Sequence, residues 1–177
     1  IAGRGVDRNI DMGLSLLEEL GKNENYLQAF EALAKIFEKG REGIPPDPMR
    51  AWEWYSKAAA TGDKFARYQF AYKRIEGIGS RRDVKSGLNV LRELAESGYR
   101  SAQWYLGTYY FSKIEPPNFE SAFDWFRRAS EQGHIKAMSR LGSMMVKGQG
   151  TKINIDLGLE LMKKAAKDGD VWQWAEL

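Results

Sequence analysis

Residues 47–66 read DPMRAWEWYSKAAATGDKFA, and this stretch decides the fold. Asp47 is a strong helix N-cap, because its carboxylate can accept from the orphan N–H groups of a first turn. Pro48 follows, where a first-turn proline is pre-organised and loses no needed donor. Ala51, Trp54, Tyr55 and Ala58 then fall at spacings of 0, 3, 4 and 7, one face of a 3.6-residue helix. Gly62 suits a left-handed C-terminal cap. Ala66 belongs to a second helical pattern.

The same reading recurs along the chain. The closing glycines Gly62, Gly98, Gly133 and Gly169 follow one another at steps of 36, 35 and 36 residues. Asn9, Asp83, Asn118 and Asn154 repeat Asp47, and Gly13, Gly87, Ala122 and Gly158 repeat Ala51. The later faces are Gly87, Val90, Leu91, Leu94, then Ala122, Trp125, Phe126, Ala129, then Gly158, Leu161, Met162, Ala165. A second helix follows each closing glycine. Its columns are Ala29/Ala66/Ala102/Ala137, Leu33/Phe70/Leu106/Leu141 and Ala34/Ala71/Gly107/Gly142. A large residue beside a small one lets paired helices approach closely. The loop between the two helices carries Gly40 with Gly43, Gly77 with Gly79, and Gly148 with Gly150. In the third copy Lys113, Ile114, Glu115, Pro116 and Pro117 replace it, and the prolines stop the preceding helix.

A fixed period of this size is the mark of a solenoid, in which each unit buries its apolar face on its neighbours. The sequence therefore predicts an all-α, right-handed α/α superhelix of about four helical pairs. It predicts a single domain over residues 1–177 and no strands. The first unit departs most: its capped helix is expected to end near Leu20 and Gly21, with Glu24 where glycine is expected. Both ends are expected to cut through a unit. Ile1 stands just before the Gly3-x-Gly5 turn, and Leu177 falls in the Leu column, so Trp172 and Trp174 are expected to lack packing partners.

These columns resemble the Sel-one-like repeat family, an α/α solenoid related to tetratricopeptide repeats. Asp47, Ala51, Trp54, Tyr55, Ala58, Ala59, Gly62 and Ala66 carry the resemblance most clearly, and Ala102, Leu106, Gly107, Gly148 and Gly150 fit it too. The resemblance implies a scaffold or adaptor. Members serve in signalling, membrane-associated degradation complexes, envelope polysaccharide export and effector–immunity pairs. It also implies a bacterial protein of periplasm or cytoplasm. Some members carry a disulfide in each repeat; with no Cys, this chain is outside that subgroup.

Composition narrows the function. Net charge is +3, from 27 basic and 24 acidic residues, and the signs are interspersed. Arg81–Arg82 and Arg127–Arg128 are short pairs, not a nucleic-acid surface. The absence of Cys excludes disulfides, thiolate metal sites and thiol nucleophiles. No apolar run reaches a membrane span, no signal peptide is visible, and no Asn-x-Ser/Thr acceptor occurs.

No catalytic, metal or cofactor site is expected. The one histidine, His134, stands at the entry to a helix, in the column of Asp63, Tyr99 and Asp170. Metal or acid–base work would need partners it lacks. Glu120 and Asp124 share a helix face, but glycoside hydrolysis needs carboxyls facing one cleft, one of them in an apolar pocket. Gly77-x-Gly79 lacks the third glycine and the preceding strand of a phosphate cradle, and reads as a turn.

The informative pattern lies two, six and nine residues after the Ala column, on the helix that normally lines the concave side of such solenoids. These positions read Glu31, Lys35, Glu38, then Tyr68, Tyr72, Ile75, then Trp104, Thr108, Phe111, then Ser139, Ser143, Val146. The middle of the groove is thus expected to be aromatic, with Phe65 extending it. Trp and Tyr give large contact area at little entropic cost, so such a cluster is a recognition surface. The alternative is that the rings only pack between neighbouring helices.

The sequence points to a non-catalytic adaptor that holds a partner protein or peptide in this groove. Its candidate contacts are Phe65, Tyr68, Tyr72, Trp104 and Phe111 as anchors, with Thr108 and Ser139 as hydrogen-bonding groups. Glycan binding or polysaccharide assembly is one alternative, since the same rings could stack on sugars. A bacterial immunity role, blocking a toxin, is another.

Overall fold

The computed structural model describes residues 10–24, 27–41 and 43–169. Among them are nine helices: α1 (Ile10–Glu24), α2 (Leu27–Lys39), α3 (Pro48–Ala60), α4 (Lys64–Glu76), α5 (Val84–Glu96), α6 (Arg100–Ser112), α7 (Phe119–Glu131), α8 (Ile135–Lys147) and α9 (Ile155–Lys167). No strand occurs among the described residues, where the only β-type pairing is an isolated bridge between Arg41 and Ile44. No described helix is long and apolar enough to cross a membrane. Asn9, Gly3, Gly5, Asp170, Trp172, Trp174 and Leu177, used in the sequence reading, lie outside the described residues.

Helix starts and stops follow the expected chemistry. Asp47 accepts from the N–H groups of Met49 and Arg50 at 3.1 and 3.0 Å, with Pro48 in the first turn. Asp83, Asn118 and Asn154 accept from Ser86, Ser121 and Leu157 at 3.0, 2.9 and 3.1 Å. Replacing such a cap by alanine typically costs about 1 kcal/mol. The closing glycines Gly62, Gly98, Gly133 and Gly169 all have positive φ, between 73° and 110°, which side-chain-bearing residues rarely adopt. One boundary differs from expectation: α1 runs through Gly21 to Glu24.

The chain forms two compact units, residues 1–90 and 91–177, with the boundary inside α5. In the first unit Phe30, Leu33, Ile36 and Phe37 of α2 pack with Ala51, Trp54, Tyr55 and Ala58 of α3. In the second, Phe126 of α7 packs with Ala137, Leu141 and Met144 of α8. Each buried side chain of this size contributes about 2 kcal/mol by leaving water.

The small residues stand where helices touch. A Cβ on Gly107 would lie 2.5 Å from the Phe126 ring, and one on Gly142 would lie 2.6 Å from the Gly158 carbonyl. The second loop glycine has a different task. Gly79 rests against the Pro48 carbonyl in the first unit and Gly150 against the Phe119 carbonyl in the second, so close that a Cβ would collide at 1.9 and 2.2 Å. Each loop is thereby seated on the first turn of the preceding capped helix. This close backbone packing, rather than a phosphate, accounts for the Gly-x-Gly spacing.

Two expectations about the core need correction. Phe70, in the Leu column, is half-buried and lies 5.1 Å from the Trp52 ring. Trp54 is buried, whereas Trp125 is half-exposed. Trp54 stacks on Phe30 at 6.0 Å. The corresponding residue before Trp125 is Gln103, whose amide is turned away to the Ala95 carbonyl and Gln132. Both tryptophans keep a cation over the ring from three residues later, Lys57 at 3.8 Å and Arg128 at 4.7 Å.

Candidate functional site

In the first unit the candidate residues lie on α4. Asp63 caps this helix by accepting from Ala66 N–H at 2.8 Å. Tyr68 and Tyr72, one turn apart, stack with centroids 6.4 Å apart and planes 12° from parallel, both half-exposed. Phe65 meets the edge of Tyr55 at 6.5 Å and carries Lys35 above its ring at 5.3 Å. Ile75, expected in the groove, is instead buried and fills the space left by Gly87.

Beside this face is a group the sequence reading missed. Glu38 of α2 accepts from the Tyr55 hydroxyl of α3 at 3.0 Å and from the Lys73 ammonium of α4 at 2.5 Å. Lys73 is only 3% exposed. Burial alone would raise the Glu38 carboxyl; bonds from Lys73 and Tyr55, with the charges of Lys73 and Lys39, outweigh it and hold the pKa below the usual range. Burial first, then the Glu38 charge, pushes the Tyr55 phenol far above its ordinary value. Glu38 and Lys35 were expected as groove-lining polar residues. Glu38 is occupied in this network, and Lys35 pairs with Glu31 at 3.1 Å. Glu38 and Lys73 stand in different columns, nine residues after Ala29 and seven after Ala66, so no repeat spacing in the sequence pairs them.

In the second unit the candidates lie on α6 and α8. Trp104 packs on Phe126 at 5.2 Å and stacks on His134 at 4.9 Å, 16° from parallel. Phe111 lies 5.4 Å from Phe119 and 6.3 Å from Phe126, with the Arg140 guanidinium 5.1 Å from its centroid. Trp104 and Phe111 each bury part of the ring and show the rest. They serve packing and leave area open to a ligand.

Of the two expected hydrogen-bonding groups, Ser139 is closed off by burial, and Thr108 is left as an acceptor only. The Thr108 hydroxyl donates to the Trp104 carbonyl at 3.0 Å, and Ser139 is 2% exposed. Serine in a column that elsewhere holds Tyr68 and Trp104 is too short to reach past its neighbours. His134 is a helix cap: its Nδ1 accepts from Ala137 N–H at 3.2 Å. Burial first, then the charges of Arg100 and Lys136, holds its pKa below the ordinary value, against a backbone hydrogen bond that raises it. The imidazole therefore works as a neutral acceptor.

The carboxylates considered for catalysis are surface groups. Asp124 and Glu131 pair with Arg127 of the same helix at 3.7 and 2.9 Å. Among the described residues no cluster of His, Asp and Glu could hold a metal ion.

Stacked helical pairs, capped alike and closed by left-handed glycines, define a helical-repeat protein. The Sel1 repeat model matches residues 2–25, 29–63, 100–134 and 135–170. The chain belongs to the Sel1 repeat family. Residues 64–99 lie outside these matches, yet they hold α4 and α5 with the same caps.

The chain is 29% identical over 172 residues to chitin synthase regulatory factor 3 of Schizosaccharomyces pombe, covering 93% of this chain and 18% of that protein. It is 30% identical over 126 residues to an uncharacterized protein of Neisseria meningitidis, covering 71% of this chain and 26% of that one. It thus spans about a fifth to a quarter of these relatives. Among solved structures, a Sel1 repeat protein from Oxalobacter formigenes matches with TM-score 0.74 and 27% identity, over 96% of this chain and 49% of the other. A protective antigen of uropathogenic Escherichia coli with the same repeat fold matches with TM-score 0.80 and 25% identity, over 90% and 34%.

Proposed function

We propose that this chain is a non-catalytic adaptor segment that holds a partner protein or peptide on an aromatic helix face, that of α4 in the first unit or that of α6 in the second. The observation that carries the reading is that Tyr68 and Trp104, at the same place in successive repeats, are both half-exposed rings, each joined by a further half-exposed ring on its own helix, Tyr72 on α4 and Phe111 on α6. Phe65 extends the first of these faces. A side chain needed only for packing is normally covered; a ring kept half open supplies contact area for a ligand. Membership of a repeat family whose surfaces are extended and modular supports the same reading.

Affinity capture with the whole chain from its native host, repeated with Trp104→Ala and Tyr68→Ala, tests it. Each truncation should weaken a captured partner by about 2 kcal/mol, roughly thirtyfold, while helicity is unchanged. Folded variants that retain the partner fully would remove the basis of the proposal.

The name of the fission yeast relative favours a second reading, a role in assembling polysaccharide-synthesising machinery. Titration with chitin oligosaccharides that leaves tryptophan fluorescence unchanged would count against direct sugar contact by these rings.

A further inference from the structure

We infer that the α6–α8 face of the second unit takes an acidic segment of a partner protein, its apolar side chains on Trp104 and Phe111 and its carboxylates against Arg100, Lys136 and Arg140. This rests on the adaptor reading above and adds the chemistry of the partner.

The first support is the distribution of charge among helices. Helices α6 and α8 carry Arg100, Lys136, Arg140 and Lys147 and contain no Asp or Glu. Their capped neighbours are mixed: α7 holds Glu120, Asp124 and Glu131 beside Arg127 and Arg128, and α9 holds Asp156 and Glu160 beside three lysines. The second support is where the cations stand. Arg140 places its guanidinium over the Phe111 ring. Arg100 and Lys136 both bear on the His134 imidazole, which is stacked on Trp104. Phe111 thus has positive charge directly against it, and Trp104 has it beyond the His134 ring on which it stacks.

The third support is that these cations are not spent. Arg127, on the capped helix, is tied to Asp124 and Glu131. Among the described residues Arg100, Lys136 and Arg140 form no ion pair. Arg100 gives one N–H to the Gln132 carbonyl at 3.1 Å and has four left, in a planar fork suited to a carboxylate. The first unit differs: α2 balances Glu31 and Glu38 against Lys35 and Lys39, and on α4 Lys73 and Arg74 are held by Glu38 and Asp83. A polyphosphate chain fits the second unit less well, because the cations are interrupted by apolar rings instead of tracking a backbone.

The test is fluorescence anisotropy with the whole chain and four labelled probes. These are a short peptide of Phe and Leu spaced by Glu and Asp, the same peptide with every acid changed to Gln, its Lys counterpart, and a single-stranded DNA oligonucleotide. The acidic peptide should bind about tenfold more tightly than the Gln peptide, with the advantage shrinking as salt is added. Changing Arg100, Lys136 and Arg140 together to Gln should remove that advantage. Trp104→Ala should weaken both peptides. Equal binding of acidic and Gln peptides, both lost with Trp104→Ala, would overturn the acidic preference while leaving the adaptor surface standing. Acidic-peptide binding that ignores Trp104→Ala, tighter binding of the oligonucleotide or the Lys peptide, or no binding by either the acidic or the Gln peptide would overturn the inference.

Discussion

Three columns of the repeat are occupied by Tyr55, Glu38 and Lys73 in the first unit and by Phe126, Phe111 and Met144 in the second. In the first, a phenol and a buried ammonium converge on one carboxylate across α2, α3 and α4. In the second, two aromatic rings 6.3 Å apart pack with a fully buried methionine across α6, α7 and α8. One backbone arrangement thus accepts a hydrogen-bonded ion pair or an apolar plug. The difference is in what happens when a member is lost. An apolar cluster missing an atom leaves a hole; a polar one leaves a charge without compensation.

That contrast gives the largest expected effect. Glu38→Ala strands the Lys73 ammonium in the core and should cost about 3 kcal/mol in urea unfolding. Carrying the second unit's solution into the first, Glu38→Phe with Tyr55→Phe and Lys73→Met, should recover most of that loss. If the triple variant is as unstable as Glu38→Ala, the two arrangements are not interchangeable and the comparison breaks.

A second prediction probes helix approach. Gly107→Ala pushes a methyl group into the Phe126 ring and should destabilise the second unit by about 2 kcal/mol. Ala71→Gly, at the same column in the first unit, removes a methyl group and should cost about 1 kcal/mol through helix propensity and lost burial. A larger loss at Ala71 than at Gly107 would mean that the glycine contact is looser than the geometry implies.

The two units should also part under acid. His134 has a lowered pKa, so it contributes stability above its ordinary value of 6.5, and this is lost as pH falls below 6.5 towards the folded pKa. Glu38 is lowered too, so its share persists down to about 4.5 and is lost below that. Hydrogen exchange followed from pH 7.5 downward should show α8 loosening before α2, with the α8 change reduced in His134→Asn, which keeps a cap acceptor. Simultaneous loosening would contradict the assignment of separate windows.

Caps, closing glycines and the Ala columns were legible because each depends on spacing within a few residues. Faces that depend on neighbours were read less well. Ser139 and Ile75 share columns with rings on the open side, yet they are buried, since a column fixes direction along a helix and side-chain length decides whether the surface is reached. Trp125 was placed with Trp54 on identical helical spacing, but the ring that covers Trp54 comes from another helix. The Glu38–Lys73 pair was invisible for the same reason: the two columns differ, and only the third dimension brings them together.

The seating of Gly79 on Pro48 and of Gly150 on Phe119 bears on how such chains can be cut and rejoined. A loop is fitted to the capped helix one step behind it, so the tightly complementary block runs from cap to next loop, as in residues 47–82 or 118–153. Chimaeras that transplant such blocks intact would preserve this fit, whereas swapping at the closing glycines would separate each loop from its seat.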